Sequence, residues 1–386
     1  MILLDKPYVS QFLKDTITKH KFLAIDTSDV IKDGEISLAN PEEIIQQFKD
    51  EPNSRIYTNS ENSINWITKN LAFTKLPEYI NLFKDKVEFR KLIKSIYPDF
   101  FFKEVSFKDI DQLDLKDLPM PFIIKPAVGF LSLGVHKVVN AQEWSKVKEE
   151  IIKEFTDAKA VFPIEVVNTS SFIIEEVIEG DEFAFDTYFD DNGKAVILGI
   201  TKHLFSSDKD VSDRVYYTSK ELIQTYLAQF TQFVEALGKQ ANIRNFPAHI
   251  EVRVDDKGKL IPIEVNPMRF GGWCTTADLN NKATGLNPYY NFLKNIKPDW
   301  NKVLDKMDDE IYSLIILDNS TGIPSNKITN FDYDKLLKEF SNPLELRKTD
   351  YKIYDIFGML FTKCSQSNFK EIEDILVSNL RKYVTA

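Results

Sequence analysis

The most informative part of this chain reads Ala-His-Ile-Glu-Val-Arg-Val at residues 248–254 and Leu-Ile-Pro-Ile-Glu-Val-Asn at residues 260–266. Successive side chains of a β-strand point to opposite faces of its sheet, so each stretch predicts a strand with one apolar and one polar face. The polar faces would carry His249, Glu251 and Arg253 in the first strand, and Glu264 and Asn266 in the second. The apolar faces would carry Ile250, Val252 and Val254, and Ile261, Ile263 and Val265.

The two strands are expected to pair as a hairpin. A two-residue turn at Lys257-Gly258 sets a register in which Glu251 lies opposite Glu264. Like charges placed opposite one another destabilise a sheet unless a cation lies between them. Two carboxylates and the amide oxygen of Asn266 are hard ligands that favour Mg²⁺ or Mn²⁺, and water and substrate phosphates would complete the shell. The alternative is a solvated hairpin face, which alternating charges commonly form.

Composition limits the classes of protein to consider. A chain of 386 residues is too long for one ordinary core, which predicts two or three domains. It has no apolar run long enough to cross a membrane and no signal peptide, so we expect a cytoplasmic location. Cys274 and Cys364 lack a partner motif, which argues against disulfides and zinc. A net charge of -10 without a basic stripe argues against a nucleic-acid partner.

The order of predicted elements indicates a small α/β unit at the N-terminus, which lacks the Gly-x-Gly-x-x-Gly turn of dinucleotide-binding proteins. An amphipathic helix is predicted from Leu82 to Tyr97, ended by Pro98. Further predictions are a hairpin at Asn192-Gly193, a helix over 221–241, strands over 311–317 and 354–361, and a closing helix over 368–384.

A second cluster follows a buried strand over 122–124. Lys125 ends this strand at a loop that contains Gly129, Ser132 and Gly134. Glycines allow successive backbone amides to point at oxygen atoms, and the serine and lysine add a hydroxyl and a positive charge, so the loop is typical of a polyphosphate site. It is not a Walker loop. A structural hairpin with a surface lysine is the alternative.

A third cluster lies at residues 171–182, where a strand runs into a sharp turn. Glu175, Glu176 and Glu179 crowd its edge. Carboxylates at the exit of a buried strand can accept hydrogen bonds from an amino group or a ribose diol, and exposed extended backbone can bind an adenine edge. An acidic, solubilising turn is the alternative.

In this order and spacing, the three clusters resemble the ATP-grasp superfamily over roughly residues 85–272, and especially its carboxylate-amine ligases that join amino acids or small acids. The resemblance implies a mixed α/β and α+β fold. It would comprise an N-terminal α/β domain at 1–84, a nucleotide-binding and catalytic domain of two subdomains at 85–304 with a hinge near 175–182, and a small C-terminal α+β segment at 305–386.

The resemblance also implies binding of ATP with Mg²⁺ or Mn²⁺. Nucleotide phosphates would be bound by Lys86, Lys125, Gly129, Ser132 and Gly134. Adenine and ribose would be bound by Glu175, Glu176, Val177, Ile178 and Glu182, and Lys202 would reach the nucleotide. The metal ligands would be Glu251, Glu264 and Asn266.

The reaction implied is activation of a carboxylate as an acyl phosphate, attack by an amine, and release of ADP and phosphate. Phosphoryl transfer depends mainly on positioning and charge neutralisation, which lysines and metal ions supply. Arg269 is the candidate for stabilising the transferred group, although many relatives have arginine one place earlier, where Met268 stands. His249 would contact a phosphate or the acyl intermediate, or support the metal ligands from behind. Substrate contacts are expected from Arg214, Gly271, Gly272 and Trp273.

Two alternatives stay open. The chain could belong to another ATP-grasp branch, such as a purine-pathway or carboxylating enzyme, or it could be a nucleotide-binding regulator without catalysis. The expected partners are a small-molecule carboxylate and an amine, with no nucleic acid and no membrane. The oligomeric state is open, with a homodimer as one option.

Overall fold

The structure is a computed structural model that describes residues 1–129, 134–158, 171–207, 210 and 212–386. Serine 132 of the predicted phosphate loop therefore lies outside the described residues. No described helix combines the length with the apolar composition that crossing a bilayer requires.

The N-terminal region is a small α/β unit, as predicted. Its parallel sheet has the order β2-β1-β3, formed by β1 (Ile2–Leu4), β2 (Ala24–Asp26) and β3 (Tyr57–Thr58). Helices α1 (Gln11–His20), α2 (Pro41–Asp50) and α3 (Ile64–Asn70) connect and follow these strands. The side chain of Ser10 accepts a hydrogen bond from Leu13 N, and Asn40 forms a capping box with Glu43, so α1 and α2 begin at well-defined residues.

Two short helices follow, α4 (Leu76–Lys84) and α5 (Lys86–Leu92). The prediction of one helix from Leu82 to Tyr97 was wrong. Asp85 has extended backbone angles, and its side chain accepts hydrogen bonds from Val87 N and Glu88 N. An aspartate in this position ends one helix and caps the next. Lys86 consequently stands at the first position of α5.

A four-stranded antiparallel sheet comes next, with the order β4-β7-β5-β6. Its strands are β4 (Phe102–Ser106), β5 (Phe122–Pro126), β6 (His136–Val138) and β7 (Ser171–Glu176), and helix α6 (Trp144–Ala158) precedes β7. Phe122, Val147, Ile151 and Phe172 belong to its buried core.

An eight-stranded antiparallel sheet forms the centre of the molecule, with the order β12-β11-β8-β9-β10-β13-β16-β15. Its strands are β8 (Asp181–Phe189), β9 (Ala195–Leu204), β10 (Val215–Thr218), β11 (Phe246–Val254), β12 (Leu260–Pro267), β13 (Ile311–Asp318), β15 (Pro343–Lys348) and β16 (Ile356–Cys364). Strands β14 (Asn330–Phe331) and β17 (Val384–Thr385) pair separately.

Helices cover this central sheet. They are α7 (Lys220–Ala241), α8 (Thr275–Thr284), α9 (Pro288–Lys294), α10 (Trp300–Lys306), α11 (Tyr333–Leu337), α12 (Tyr351–Tyr354) and α13 (Lys370–Leu376). Phe230 of α7 packs on Phe183 and Phe185 of β8 at ring-centroid distances of 5.6 and 4.8 Å. The hydrophobic face of α7 therefore fixes the strand that lies beside the predicted metal ligands.

Several predicted elements are confirmed. The turn at Asn192-Gly193 joins β8 to β9, with Gly193 at a φ of 76°, and the helix predicted over 221–241 is α7. The closing helix was predicted too long, because α13 ends at Leu376 and Leu380 adopts a φ of 57° that turns the chain toward β17. The C-terminal strands β13, β15 and β16 extend the central sheet, and the domain boundaries stay a prediction.

Candidate active site

Strands β11 and β12 place Glu251 directly opposite Glu264, as predicted. The predicted two-residue turn was wrong, however, because Val254 pairs with Leu260 and Asp255 N donates to Lys259 O across a longer loop. A β-bulge compensates for the longer loop. It inserts one extra residue into β12, and this restores the register at the two glutamates.

The bulge also changes the faces of β12. Val252 pairs with Pro262, which leaves Ile263 as the extra residue. Leu260 and Val265 are buried in the core, whereas Ile261 and Ile263 are half-buried. The predicted apolar face of this strand was therefore wrong at Ile261 and Ile263 and right at Val265, while the face predicted for β11 is confirmed.

Asn266 and Lys86 contact the glutamate pair. The Asn266 side chain donates to Glu251 Oε1 and to Glu264 Oε1, both at 3.2 Å. Lys86 Nζ lies 3.2 Å from Glu264 Oε2. The three predicted metal ligands and one predicted phosphate-binding lysine are therefore adjacent in the structure.

The two glutamates differ in their affinity for protons. Burial and the neighbouring Glu264 raise the pKa of Glu251 well above its ordinary value. Burial acts in the same direction on Glu264, but Lys86 and Lys125 outweigh it and lower the pKa of this carboxyl. Two carboxyl groups that face each other without a cation cannot both ionise easily, which is the electrostatic condition that a divalent cation relieves.

The donor chemistry of this face fits Mg²⁺ or Mn²⁺. Glu251, Glu264 and Asn266 offer carboxylate and amide oxygens, the donors that these ions prefer. Among the described residues, no group of three or more His, Cys, Asp or Glu side chains is close enough to hold a metal ion. A metal at this face would therefore need further oxygen atoms from a bound substrate.

Lys86 also approaches the predicted phosphate loop. Its Nζ lies 3.5 Å from Gly129 O, and its backbone N–H donates to Ala127 O at 2.8 Å. Gly134, on the far side of the undescribed loop residues, has a φ of 71°. Lys86 thus lies between the loop and the acidic face of β12.

A buried ion-pair cluster connects the two sheets. Lys125 Nζ lies 2.7 Å from Glu175 Oε2, and Arg90 pairs with the other oxygen of Glu175. Arg90 also donates to Pro262 O at 2.7 Å. Although burial opposes it, the charges of Arg90 and Lys125 lower the pKa of Glu175 to about 2. Both oxygens of Glu175, which was predicted to bind adenine or ribose, are therefore engaged by protein cations in this structure.

The segment between the two sheets includes the other residues predicted to bind adenine and ribose. Strand β7 ends at Glu176, whose carboxylate accepts from Phe101 N at 3.2 Å, and Val177 follows it outside both sheets. Ile178 O accepts from Arg253 at 2.9 Å. Chain 177–180 therefore belongs to neither sheet.

Glu182, one of the residues predicted to bind adenine and ribose, lies between two basic side chains. Its Oε1 is 2.9 Å from His203 Nδ1, and its Oε2 accepts from Arg253 Nε at 3.1 Å. Lys202 Nζ pairs with Asp181 at 2.6 Å. In this conformation Lys202 is directed to the edge of β8 rather than to the glutamate pair.

His249 belongs to a buried network behind the acidic face. Its Nδ1 is 2.8 Å from Asp186 Oδ1, and its Nε2 is 3.8 Å from Glu251 Oε1. Asp186 also accepts from Gly271 N and from Thr276 Oγ1, at 3.1 and 2.6 Å. These bonds fix the imidazole ring with one nitrogen toward Glu251. The sequence did not indicate Asp186 or Thr276.

Arg269 lies on the site side of the chain, although it stands one position later than expected. Met268 has a φ of 69°, in the left-handed region, and its side chain is fully buried in the core. Arg269 donates through Nε and Nη2 to Glu61 Oε1, at 3.0 and 2.7 Å. Thr58 N donates to Met268 O at 2.9 Å, which attaches this loop to the N-terminal sheet.

The predicted substrate residues are only partly brought together. Gly271 packs against Thr276, Gly272 faces open space, and Trp273 contacts Tyr354 edge-on at 5.0 Å. The structure does not bring Arg214 to this group. Its guanidinium binds Asp318, Ser320 and the carbonyl of Ser378 in the C-terminal region, so those contacts occupy the donors expected to clamp a substrate.

Residues 118–277 match the family model described as the ATP-grasp domain. This chain carries an ATP-grasp domain. The matched range includes β5, β7, the β11–β12 hairpin and Arg269, which together carry most of the predicted site. No curated protein matches the sequence.

Solved structures of ATP-grasp enzymes match the chain over nearly its full length. The L-amino acid ligase of Bacillus licheniformis has a TM-score of 0.68 at 17% identity, covering 99% of this chain and 97% of that one. The biotin carboxylase domain of Hydrogenobacter thermophilus 2-oxoglutarate carboxylase was solved in complex with MgADP, ADP and bicarbonate. It has a TM-score of 0.62 at 14% identity, covering 94% of this chain and 86% of that one. The N5-carboxyaminoimidazole ribonucleotide synthetase of Thermotoga maritima has a TM-score of 0.61 at 13% identity, covering 100% of this chain and 98% of that one. The predicted ATP-grasp fold is confirmed.

Proposed function

We propose that this ATP-grasp protein is an ATP-dependent ligase that activates a carboxylate as an acyl phosphate, couples it to an amine, and releases ADP and phosphate. The observation that carries the proposal is the contact of Lys86 with Glu264, beside Glu251 and Asn266, on one face of the β11–β12 hairpin. A site for magnesium nucleotide needs hard oxygen ligands for the metal, and cations and a glycine-containing loop for the phosphates. These groups lie together here.

In this proposal, Glu251, Glu264 and Asn266 hold Mg²⁺ or Mn²⁺, and Lys86, Lys125 and the loop with Gly129 and Gly134 bind the phosphates of ATP. The metal, when bound, neutralises phosphate charge and polarises the transferred group. The biotin carboxylase domain that was solved with MgADP has the same fold, which supports the nucleotide assignment. Lys86 is already close to both Glu264 and Gly129, so it needs little movement to reach a bound phosphate.

Arg269 is proposed to stabilise the negative charge that develops on the acyl phosphate and on the tetrahedral intermediate. A planar guanidinium can donate to two oxygens at once, and its always-cationic character suits a site where charge increases. Burial disfavours its charge, but Glu61 and the two metal-site glutamates raise its pKa above the ordinary value. His249, held by Asp186, is proposed to orient Glu251 rather than to transfer a proton.

The substrate class is proposed as an amino acid or a similar small acid, with a second amino acid or other amine as acceptor. Two observations support this choice. The match to the L-amino acid ligase spans 99% of the chain. Trp273, half-buried beside Tyr354 and next to two glycines, offers an aromatic surface for an apolar side chain.

Release of ADP and phosphate tests the proposal. The purified chain would be incubated with ATP, MgCl₂ and all pairs of the common amino acids, with Glu264→Ala as the inactive control. Ligation predicts release that needs both an acid and an amine. Release that needs bicarbonate instead would support a carboxylating branch, and nucleotide binding without any release would support a regulator.

A further inference from the structure

A cavity of about 480 Å³ lies at the amino ends of the three parallel strands of the N-terminal sheet. Its lining includes the residues that lead into β2 and β3, the segment after α2, and the end of α9. Glu61, which contacts Arg269, follows the carboxyl end of β3, so the proposed catalytic site lies at the other end of this sheet. The cavity is therefore separate from the site described above.

The lining is cationic. The residues that line it include Lys21, Arg55 and Lys294, together with His20, and Glu51 is the carboxylate among them. With His20 neutral, and with the Met1 amino group also neutral because burial lowers its pKa to about 5, these lining residues have a formal charge of +2, in a chain whose net charge is -10. A local excess of positive charge in an acidic protein indicates a surface that attracts anions.

These cations form no ion pairs with carboxylates among the described residues. Among the described residues, neither the lysines nor Arg55 form an ion pair, and the Arg55 guanidinium donates no hydrogen bond. Asp190 and Asp191 are within electrostatic range of Arg55 without pairing with it. The Lys294 ammonium instead lies 5.3 Å from the centre of the Phe22 ring.

Two polar atoms beside the cavity lack partners. Arg55 Nε and Ser54 Oγ are buried without a hydrogen bond among the described residues. Leaving a buried donor unsatisfied costs free energy, more so when the group is charged. An acceptor supplied by a ligand, reached by a small rearrangement of Arg55, would remove this cost.

We propose that this cavity binds a small oxyanion that carries a phosphate or a carboxylate group. The Arg55 guanidinium can pair with two oxygens of such a group, and Lys21 and Lys294 supply further positive charge at the rim. The volume falls within the range of roughly 300–1,000 Å³ that is usual for small-molecule sites. The proposal does not depend on the ligase activity, because it concerns the opposite end of the N-terminal sheet.

Isothermal titration of the full chain with inorganic phosphate and, separately, with citrate tests this site. The variants are the double substitution Arg55→Gln/Lys294→Gln and the control Lys116→Gln, an exposed lysine in another part of the fold. We expect the wild type to bind at least one anion, the double variant to bind it about tenfold or more weakly, and the control to match the wild type. Binding of phosphate alone would assign a phosphate ligand, and binding of citrate alone would assign a carboxylate ligand.

The melting temperature without added anion shows whether the double variant is folded. If it is lowered, Lys294→Gln alone is used, because among the described residues this ammonium lies over the Phe22 ring and forms no ion pair. Anion-induced stabilisation should then be smaller in that variant than in the wild type. Failure of both anions to bind the wild type, or unchanged binding in the variants, would overturn the proposal. Either result leaves the ADP-release experiment unaffected.

Discussion

The guanidinium of Arg269 donates two hydrogen bonds to one oxygen of Glu61, a residue 208 positions earlier in the chain. Lys84 pairs with the other oxygen of Glu61. Although burial opposes it, the charges of Arg269 and Lys84 lower the pKa of Glu61 to about 2, so Glu61 is a carboxylate at neutral pH. The N-terminal domain thus holds the arginine that is proposed to act on the acyl phosphate.

Replacing Glu61 with glutamine tests this relationship. The amide keeps one acceptor but loses the charge, so Arg269 should be less well positioned, and turnover should fall about tenfold or more. The Michaelis constant for ATP should change little. Steady-state ADP release measures both values, with Glu78→Gln, an exposed glutamate of α4, as the matched control. Unchanged turnover in Glu61→Gln would show that this contact has no part in positioning Arg269.

Replacing Arg269 with alanine should lower turnover by on the order of a hundredfold or more, because a preorganised donor at the developing charge is removed. Nucleotide affinity, measured by titration with a non-hydrolysable ATP analogue, should survive. If the variant loses nucleotide affinity and keeps its turnover at saturation, Arg269 belongs to the nucleotide-binding residues instead.

Replacing Arg90 with methionine should destabilise the fold by about 3–5 kcal/mol, because Glu175 and Lys125 would lose one partner of a buried cluster. Denaturant unfolding measures the free energy. Lys370→Gln, which removes one exposed i,i+4 pair, is the control and should leave it unchanged within error. If Arg90→Met lowers the free energy of unfolding no more than the control does, the Arg90 cluster does not hold the two sheets together.

Gly271 and Gly272 offer a comparison of neighbours. A Cβ at Gly271 would lie 2.2 Å from Thr276 Oγ1, whereas one at Gly272 meets nothing within 4 Å. Gly271→Ala should therefore cost about 1–3 kcal/mol of unfolding free energy, and Gly272→Ala should stay within about 0.5 kcal/mol. Equal unfolding free energies for the two variants would contradict the packing described around Thr276.

The metal-site strands were predictable because alternation in a strand is a simple period of two. The alternation put Glu251 and Glu264 on one face, and the predicted two-residue turn put them opposite each other although that turn was too short. The error in the turn was cancelled by the bulge, in which Ile263 is the extra residue. No pattern in the sequence predicts a bulge of this kind. The alternation therefore predicted the correct face, and the register was predicted correctly only because the bulge offset the error in the turn.

Other parts of the site depend on contacts between distant residues. Glu61 stands in a single helical turn and has no periodic pattern around it, so its contact with Arg269 appears only in three dimensions. The same holds for Asp186, which joins His249 to Thr276 from a neighbouring strand. The helix break at Asp85 did carry a local signal, because aspartate followed three residues later by Glu88 is typical of a helix start.

The proposed function depends on the glutamate pair holding magnesium nucleotide. Isothermal titration of a non-hydrolysable ATP analogue, with and without MgCl₂, measures this most directly in the wild type and in Glu264→Gln. We expect binding that is strengthened by magnesium in the wild type, and a variant in which magnesium has little effect. Equal magnesium dependence in both proteins, or no binding to the wild type, would contradict the assignment of Glu251 and Glu264 to the metal.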